Sequence, residues 1–125
     1  MKNLNREKKW NQWLAGVIDG DGYLALQKNN VAVCEITMSL NDENLLFQIK
    51  QKLGGHIRLC SRAKACRYRL GHQQGIKELI HRINGSILNS QRVPQFQSLC
   101  TKFGIPFIPA YPLTITNGYS AGFFD

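Results

Sequence analysis

The chain has 125 residues, the size of a single domain that can bury a hydrophobic core without help from disulfides or metals. Its 16 lysines and arginines against 8 acidic residues give a net charge of +8, which favours a polyanionic partner. The four cysteines form no Cys-X-X-Cys pair, and the sequence shows neither a signal peptide nor a long apolar run. These features argue against a secreted disulfide-rich protein and against a membrane protein, and they favour an intracellular setting.

The first predicted element is a helix that begins after Asn5, a candidate N-cap, and ends near Gly20. Its apolar side chains recur at helical spacing, and the helix ends in a short acidic corner bounded by glycines. Gly16 and Gly20 lie four residues apart along this face, and each costs about 0.5–1 kcal/mol relative to alanine inside a helix. We therefore expect a second helix to pack closely here, against Trp13, Gly16 and Gly20.

A β-hairpin is predicted next, because residues 23–28 and 31–38 alternate between apolar and polar side chains around a turn at Asn29-Asn30. Alternation sends the larger apolar side chains toward the helices and leaves a more polar face outside. The residues predicted on that outer face are Tyr23, Ala25, Gln27, Val33, Glu35 and Thr37.

The remaining pattern is that of a second helix and hairpin followed by two more helices. The predicted elements are a helix from residues 41–43 to Gly54-Gly55, strands at residues 56–59 and 65–70, a helix ending at Asn84-Gly85, and a helix, broken near Pro94, ending at Gly104. The order αββαββα predicts an α+β fold, in which helices cover one face of a four-stranded antiparallel sheet and leave the other face open to a partner.

The second hairpin is strongly basic and carries no acidic residue between positions 56 and 69. Alternation places three of its arginines on the outer face, beside Gln27 and Thr37. A solvated face usually mixes charges of both signs, so this surface indicates a nucleic-acid partner, with an ordinary solvated face as the alternative. The basic residues of the segment are Arg58, Arg62, Lys64, Arg67 and Arg69.

A zinc site is the alternative use of the same segment, because Cys60 and Cys66 lie near His56 and His72 in sequence. Both cysteines fall in strand patterns, where small core or surface residues are expected, and this argues against metal binding by them.

Residues 14–22 resemble the LAGLIDADG signature, with Val17 where the signature has leucine and Gly20 where it has alanine. The chain is thus similar to the LAGLIDADG homing endonucleases and the related intron maturases; an amphipathic helix with a capped turn is the alternative reading of these nine residues. The resemblance implies that residues 1–104 form the family domain, whose saddle-like sheet lies along the DNA major groove. It also implies pairing of two motif helices and an organellar location, in a mitochondrion or chloroplast.

The resemblance further implies that Asp21, the eighth residue of the signature, holds a divalent metal such as Mg²⁺ at the scissile phosphate. Mg²⁺ commonly binds one or two carboxylates together with waters and phosphate oxygens, and the carbonyl of Gly20 is a further candidate ligand. The family also places a basic residue near the phosphates, and Arg92 is the candidate, with an ordinary exposed arginine as the alternative. The residues expected to contact DNA are Tyr23, Gln27, Glu35, Thr37, Arg58, Arg62, Arg67 and Arg69.

The end of the chain resembles the start of a second motif. Residues 105–118 contain three prolines and predict an extended linker, while Ala121-Gly122 and Asp125 match Ala15-Gly16 and Asp19 of the first motif. An aromatic segment that packs on the core is the alternative. Residues 119–125 would then open a second repeat of a longer protein, or two copies of the chain would supply the paired motifs.

Three functions are consistent with these observations. The first is a site-specific double-stranded DNA endonuclease, or half of one; the second is an intron maturase that binds RNA; the third is a DNA-binding module without catalysis. Asp21 favours the first, because a module that only binds DNA has no use for an acid at that place.

Overall fold

The computed structural model describes residues 2–60 and 64–110 of the chain, without the side chains of residues 2 and 3. The elements follow the predicted order, with a fourth helix after αββαββα. They are α1 (Lys2–Asp21), β1 (Gly22–Leu26), β2 (Ala32–Ser39), a 3-10 turn (Leu40–Asp42), α2 (Glu43–Leu53), β3 (His56–Cys60), β4 (Ala65–Leu70), α3 (Gln73–Ile83) and α4 (Arg92–Phe103).

The four strands form one antiparallel sheet in the order β1-β2-β4-β3. The α+β fold predicted from the sequence is confirmed. All four helices pack against the sheet or against one another on one side, and α4 covers β1 while α2 covers β3 and β4. The core between these layers is built from side chains of every helix and of β1, β2 and β4, among them Leu14, Ile36, Tyr68, Leu79 and Phe96.

The hairpin turn between β1 and β2 has the predicted position. Asn30 adopts a left-handed conformation with φ 64°, and its amide donates to the carbonyl of Gln27 at 2.7 Å. Asparagine tolerates this conformation better than most residues do, which is why the two asparagines mark the turn.

The start of α1 differs from the prediction, because the helix begins at Lys2 and Asn5 lies inside it as an exposed residue. The turn that follows Asn5 is held from outside the helix. Glu7 binds Lys52 at 2.6 Å and Arg82 at 2.5 Å, and this links the first part of α1 to α2 and α3. Tertiary contacts of this kind extend a helix past a local capping residue.

The predicted break near Pro94 is also wrong. Pro94 is the third residue of α4, and α4 runs unbroken from Arg92 to Phe103. Amides in the first turn of a helix have no partner within the helix, so a proline there removes no hydrogen bond.

Residues 105–110 have no regular secondary structure, yet they are attached to the domain. Phe107 packs edge-on against Phe96 with ring centroids 6.0 Å apart, and Asn84 bonds both the carbonyl of Pro106 and the amide of Ile108 at 2.9 and 2.8 Å. The rest of the predicted linker and the second motif at residues 119–125 lie outside the described residues, so the domain limits stay a prediction. None of the helices described here is long and apolar enough to cross a membrane.

Candidate nucleic-acid interface

The outward side chains of the four strands align in rows across the open face of the sheet. One row, in spatial order, is Tyr23, Glu35, Arg69 and His56, and the next is Thr37, Arg67 and Arg58. Gln27 follows β1 and lines the same depression as Tyr23 and Glu35. The structure therefore brings together every residue predicted to contact DNA except Arg62, which lies outside the described residues.

Two arginines stand directly opposite each other on this face, because Arg58 of β3 pairs with Arg67 of β4, and both are exposed. Like charges opposite each other on a sheet are destabilising. A neighbouring depression of about 440 Å³ is lined by His56, Glu35 and three arginines. A surface that concentrates positive charge despite this destabilisation is suited to bind a polyanion.

Glu35 is the acidic exception among these arginines. Its carboxylate accepts a hydrogen bond from Nη1 of Arg69 at 2.8 Å. The Glu35 side chain is 25% exposed and the Arg69 side chain is 42% exposed. The pair joins β2 to β4 across the middle of the face and gives the guanidinium a charge-assisted hydrogen bond.

Asp21 stands at the corner where α1 meets the sheet. It is the last residue of α1, it is exposed, and β1 begins immediately after it at Gly22. A Cβ on Gly22 would lie 2.8 Å from both the Cα and the carbonyl oxygen of Ile18, so only glycine allows the chain to turn this tightly from helix to strand. The turn leaves Asp21 exposed immediately before β1, an edge strand of the sheet.

The glycines on α1 have a different environment. Gly16 and Gly20 are exposed, and a Cβ added to either would meet no atom within 4 Å among the described residues. Trp13, the third residue predicted at a helix contact, is half-buried. The domain described here therefore has no packing need for glycine at these two positions.

The segment before α4 is bound to the end of α1. Asp19 accepts hydrogen bonds from the amides of Leu88 and Asn89 at 2.9 and 3.1 Å, and the Asn89 side chain donates to the carbonyl of Asp19 at 2.9 Å. Arg92, the predicted basic residue, donates from Nε to the carbonyl of Ile18 at 2.9 Å. The structure thus brings Arg92 to the same end of α1 as Asp21.

Sequence analysis missed the partners of Asp19 and also Gln95, whose Oε1 accepts from the amide of Leu24 at 3.0 Å. These contacts join residues about 70 positions apart, and neither local spacing nor composition reveals them. Asp19 itself was visible within the motif, but nothing in the sequence indicated what it binds.

The zinc alternative finds no support in the described residues, which contain no cluster of three or more potential His, Cys, Asp or Glu ligands. His56 and Cys60 lie on the open face of the sheet, while Cys66 points into the core. Burial raises the pKa of Cys34 to about 12 and also raises the pKa of Cys66, so both are unreactive thiols in the core.

The helix-to-strand corner with its acid, the basic open sheet and the helices behind it define an α+β domain whose open face suits a polyanion. The chain belongs to the LAGLIDADG endonuclease family, because the model of that family matches residues 14–103. The match extends from the motif in α1 to the end of α4.

Curated relatives include both nucleases and a maturase. The chain is 49% identical over 117 residues to the intron-encoded RNA maturase bI4 of Saccharomyces cerevisiae, and 36% identical over 124 residues to the intron-encoded DNA endonuclease ai2a of Dictyostelium discoideum. These alignments cover 94% and 99% of this chain but only 18% and 40% of the relatives. The chain thus spans less than half the length of either protein.

Solved structures agree with the fold. The homing endonuclease I-CvuI, in complex with its target in the presence of calcium, superposes with a TM-score of 0.65 at 16% identity, over 81% of this chain and 70% of that one. The meganuclease I-SmaMI, bound to uncleaveable DNA, gives a TM-score of 0.59 at 25% identity, over 73% of this chain and 35% of that one.

Proposed function

We propose that the chain is one half of a site-specific, divalent-metal-dependent endonuclease that cuts double-stranded DNA. The observation that carries the proposal is the exposed Asp21 at the junction of α1 and β1, in a sheet whose open face carries Arg58, Arg67 and Arg69. The named relatives that are intron-encoded DNA endonucleases support it.

The open sheet face is the proposed DNA surface. Arginine side chains bind phosphates or, in pairs of hydrogen bonds, the edge of guanine, while Gln27, Glu35 and Thr37 offer donors and acceptors to base edges. Binding through such a face weakens with salt in proportion to the number of phosphates contacted.

Mg²⁺ is the proposed cofactor, and the residues at the corner fit it in part. The Asp21 carboxylate and the Gly20 carbonyl are hard oxygen donors of the kind that Mg²⁺ prefers. The described residues hold no cluster of three His, Cys, Asp or Glu ligands, so they would supply only part of the coordination shell. When bound, the ion would supply charge neutralisation at the phosphate. Arg92 would add positive charge at the same end of α1.

A second motif helix is the proposed partner, because Gly16 and Gly20 present backbone that nothing in the described chain covers. The second helix would come either from a longer chain, in which residues 119–125 open a second motif, or from a second copy of this chain. Each arrangement would supply a second acid for the second DNA strand. Intron-encoded relatives also support an organellar location as part of this proposal.

Replacement of Asp21 by asparagine tests the proposal in a protein that contains both motif helices. The variant should lose cleavage of target duplex but keep or slightly improve DNA affinity, because a bare carboxylate repels phosphates until a cation intervenes. Glu78→Gln is the matched control, since it changes the net charge equally and Glu78 lies on α3, where it pairs with Arg82. Normal cleavage by Asp21→Asn would overturn the assigned role, and a wild-type protein that binds without cutting would favour the non-catalytic DNA-binding module.

RNA splicing is the second candidate function, and the 49% identity to a yeast RNA maturase favours it. Splicing assistance requires RNA binding and no acid at the phosphate. A splicing assay on the host intron separates the two functions, because Asp21→Asn should keep maturase activity while it loses DNA cleavage.

A further inference from the structure

We propose that Asp19 is a positioning residue for cleavage: it anchors the end of α1 to the segment that precedes and opens α4, and it thereby sets the orientation of Asp21. The cleavage readout rests on the proposed function, whereas the anchoring itself does not. The segment concerned, residues 88–95, is called the anchor segment below.

Asp19 accepts hydrogen bonds through both its side chain and its backbone. Its two carboxylate oxygens accept separate amides, from Leu88 at 2.9 Å and from Asn89 at 3.1 Å. Its backbone carbonyl accepts from Nδ2 of Asn89 at 2.9 Å. A carboxylate is needed for the first pair, because a carboxamide would turn an NH₂ group toward one of the two amides.

The anchor segment also satisfies the last turn of α1. The final carbonyls of a helix have no partner within it, and here the carbonyls of Ile18 and Asp19 are bonded by Arg92 and Asn89. The guanidinium also interacts favourably with the negative end of the helix dipole. Asn89 in turn accepts from the amide of Gln91 at 2.8 Å, which orders the segment itself.

The same segment holds the chain after Asp21. The amide of Leu24 donates to Oε1 of Gln95 at 3.0 Å, and Gln95 is part of α4. Asp21 is therefore flanked by two attachments to the anchor segment, through Asp19 two residues before it and Leu24 three residues after it. Gly22 lies between them, close against the backbone of Ile18. We infer that these contacts fix the position of the Asp21 backbone.

This arrangement explains why the motif contains two acids that do different work. Asp21 is exposed and free to meet a cation, while Asp19 is half-buried and occupied by backbone amides. A displacement of about 1 Å in a reacting group can cost about 10²-fold in rate. Loss of the anchor should therefore lower the rate of the chemical step more than it lowers DNA affinity.

The test compares wild type with Asp19→Ala in a protein that contains both motif helices, and Asp42→Ala is the control of equal charge change. Single-turnover cleavage by Asp19→Ala should fall by about 10–100-fold, as for other groups that orient a ligand, with DNA affinity within about two-fold of wild type. The Mg²⁺ concentration for half-maximal cleavage should rise. A parallel fall of affinity and rate, or an unchanged rate, would overturn the proposal.

Amide hydrogen exchange gives a readout that does not require activity. Asp19→Ala should speed exchange at Asp21, Gly22 and Asn89, while amides in the sheet centre such as Ile36 keep wild-type protection. Uniform loss of protection, or no change near Asp21, would contradict the anchoring.

A milder pair of variants guards against misfolding of Asp19→Ala. Gln95→Leu removes the acceptor for the Leu24 amide, whereas Gln95→Glu keeps an oxygen there, so exchange at Leu24 should rise only in the former. Equal exchange in both variants would count against the second attachment. If wild type fails to cut DNA while exchange changes locally as described, the proposed function fails and the anchoring stands.

Discussion

Glu35 is an acidic residue in the middle of a basic surface, and its position shows what residue-level patterns can and cannot predict. Alternation along β2 correctly places Glu35 on the outer face. Its pairing with Arg69 depends on β2 lying next to β4, which is a property of sheet order and not of spacing along the chain. The face was therefore predictable from sequence, while the pair was not.

Glu35→Gln should raise the affinity for duplex DNA by up to about five-fold at low salt, because an exposed ion pair is worth about 0.2–1 kcal/mol and a repulsive charge is removed. Discrimination between target and non-target sequences should fall, since Arg69 loses its fixed orientation. Glu78→Gln is the matched control: Glu78 pairs with Arg82 on the helical side, so the net charge change is equal. Equal changes in DNA affinity for the two variants, measured by fluorescence anisotropy, would contradict the assignment of the open sheet face as the DNA surface.

Glu7 carries the second residue-scale prediction, which concerns pH. Hydrogen bonds from Lys52 and Arg82 lower the pKa of Glu7 from 4.5 to about 2. A carboxyl group with a lowered pKa in the folded state stabilises the fold above its unfolded pKa and loses this effect as the pH falls toward its folded pKa. The Tm difference between wild type and Glu7→Gln should therefore be largest above about pH 5 and should shrink between pH 4.5 and pH 2. Asp42→Asn is the control, and a Tm difference that does not vary with pH would contradict the pairing.

At the scale of elements, the sequence predicted the number and kind of helices and strands well, and their limits less well. Periodicity found β4 at its observed bounds, Ala65–Leu70, and glycines correctly marked the end of α2. The early start of α1 depends on ion pairs with other helices, and the continuity of α4 through Pro94 depends on where its first turn begins. The first cause is not local, so that limit was not predictable. The second is a local property of proline in a first turn, and it was missed because the start of α4 was not located.

The sheet as an element carries the DNA-binding prediction. Arg67→Ala should weaken binding by about 1–3 kcal/mol if Arg67 contacts a guanine edge, or should lower the salt dependence by about one contact if it binds a phosphate. Lys50→Ala is the control, because Lys50 is exposed on α2 behind the sheet. Measuring DNA affinity across salt concentrations tests this prediction. Equal losses of affinity in the two variants would contradict DNA binding by the open sheet face.

At the scale of the whole molecule, the described domain leaves the glycine face of α1 uncovered. The sequence predicted this face from two glycines four residues apart, and the structure shows that neither one is needed to fit the domain's own packing. The proposed function assigns the cover of this face to a second motif helix.

Gly20→Leu distinguishes the stability of the domain from the packing of two motif helices. The added side chain meets no atom near its Cβ among the described residues, so the Tm of the isolated domain should stay the same or rise, as glycine is a poor helix former. In a protein with both motif helices, the same change should force the helices apart and abolish assembly and cleavage together. Gln48→Leu on the exposed side of α2 is the control, and it should leave both properties intact.

The most direct measurement is strand-specific cleavage of an end-labelled target duplex by the 125-residue chain, with its mass determined by sedimentation in the same buffer. The account predicts that the chain as a monomer does not cut both strands, and that cutting of both strands appears only in a species that contains two motif helices, whether one longer chain or a dimer. A well-folded monomer of this chain that cuts both strands would contradict the central claim.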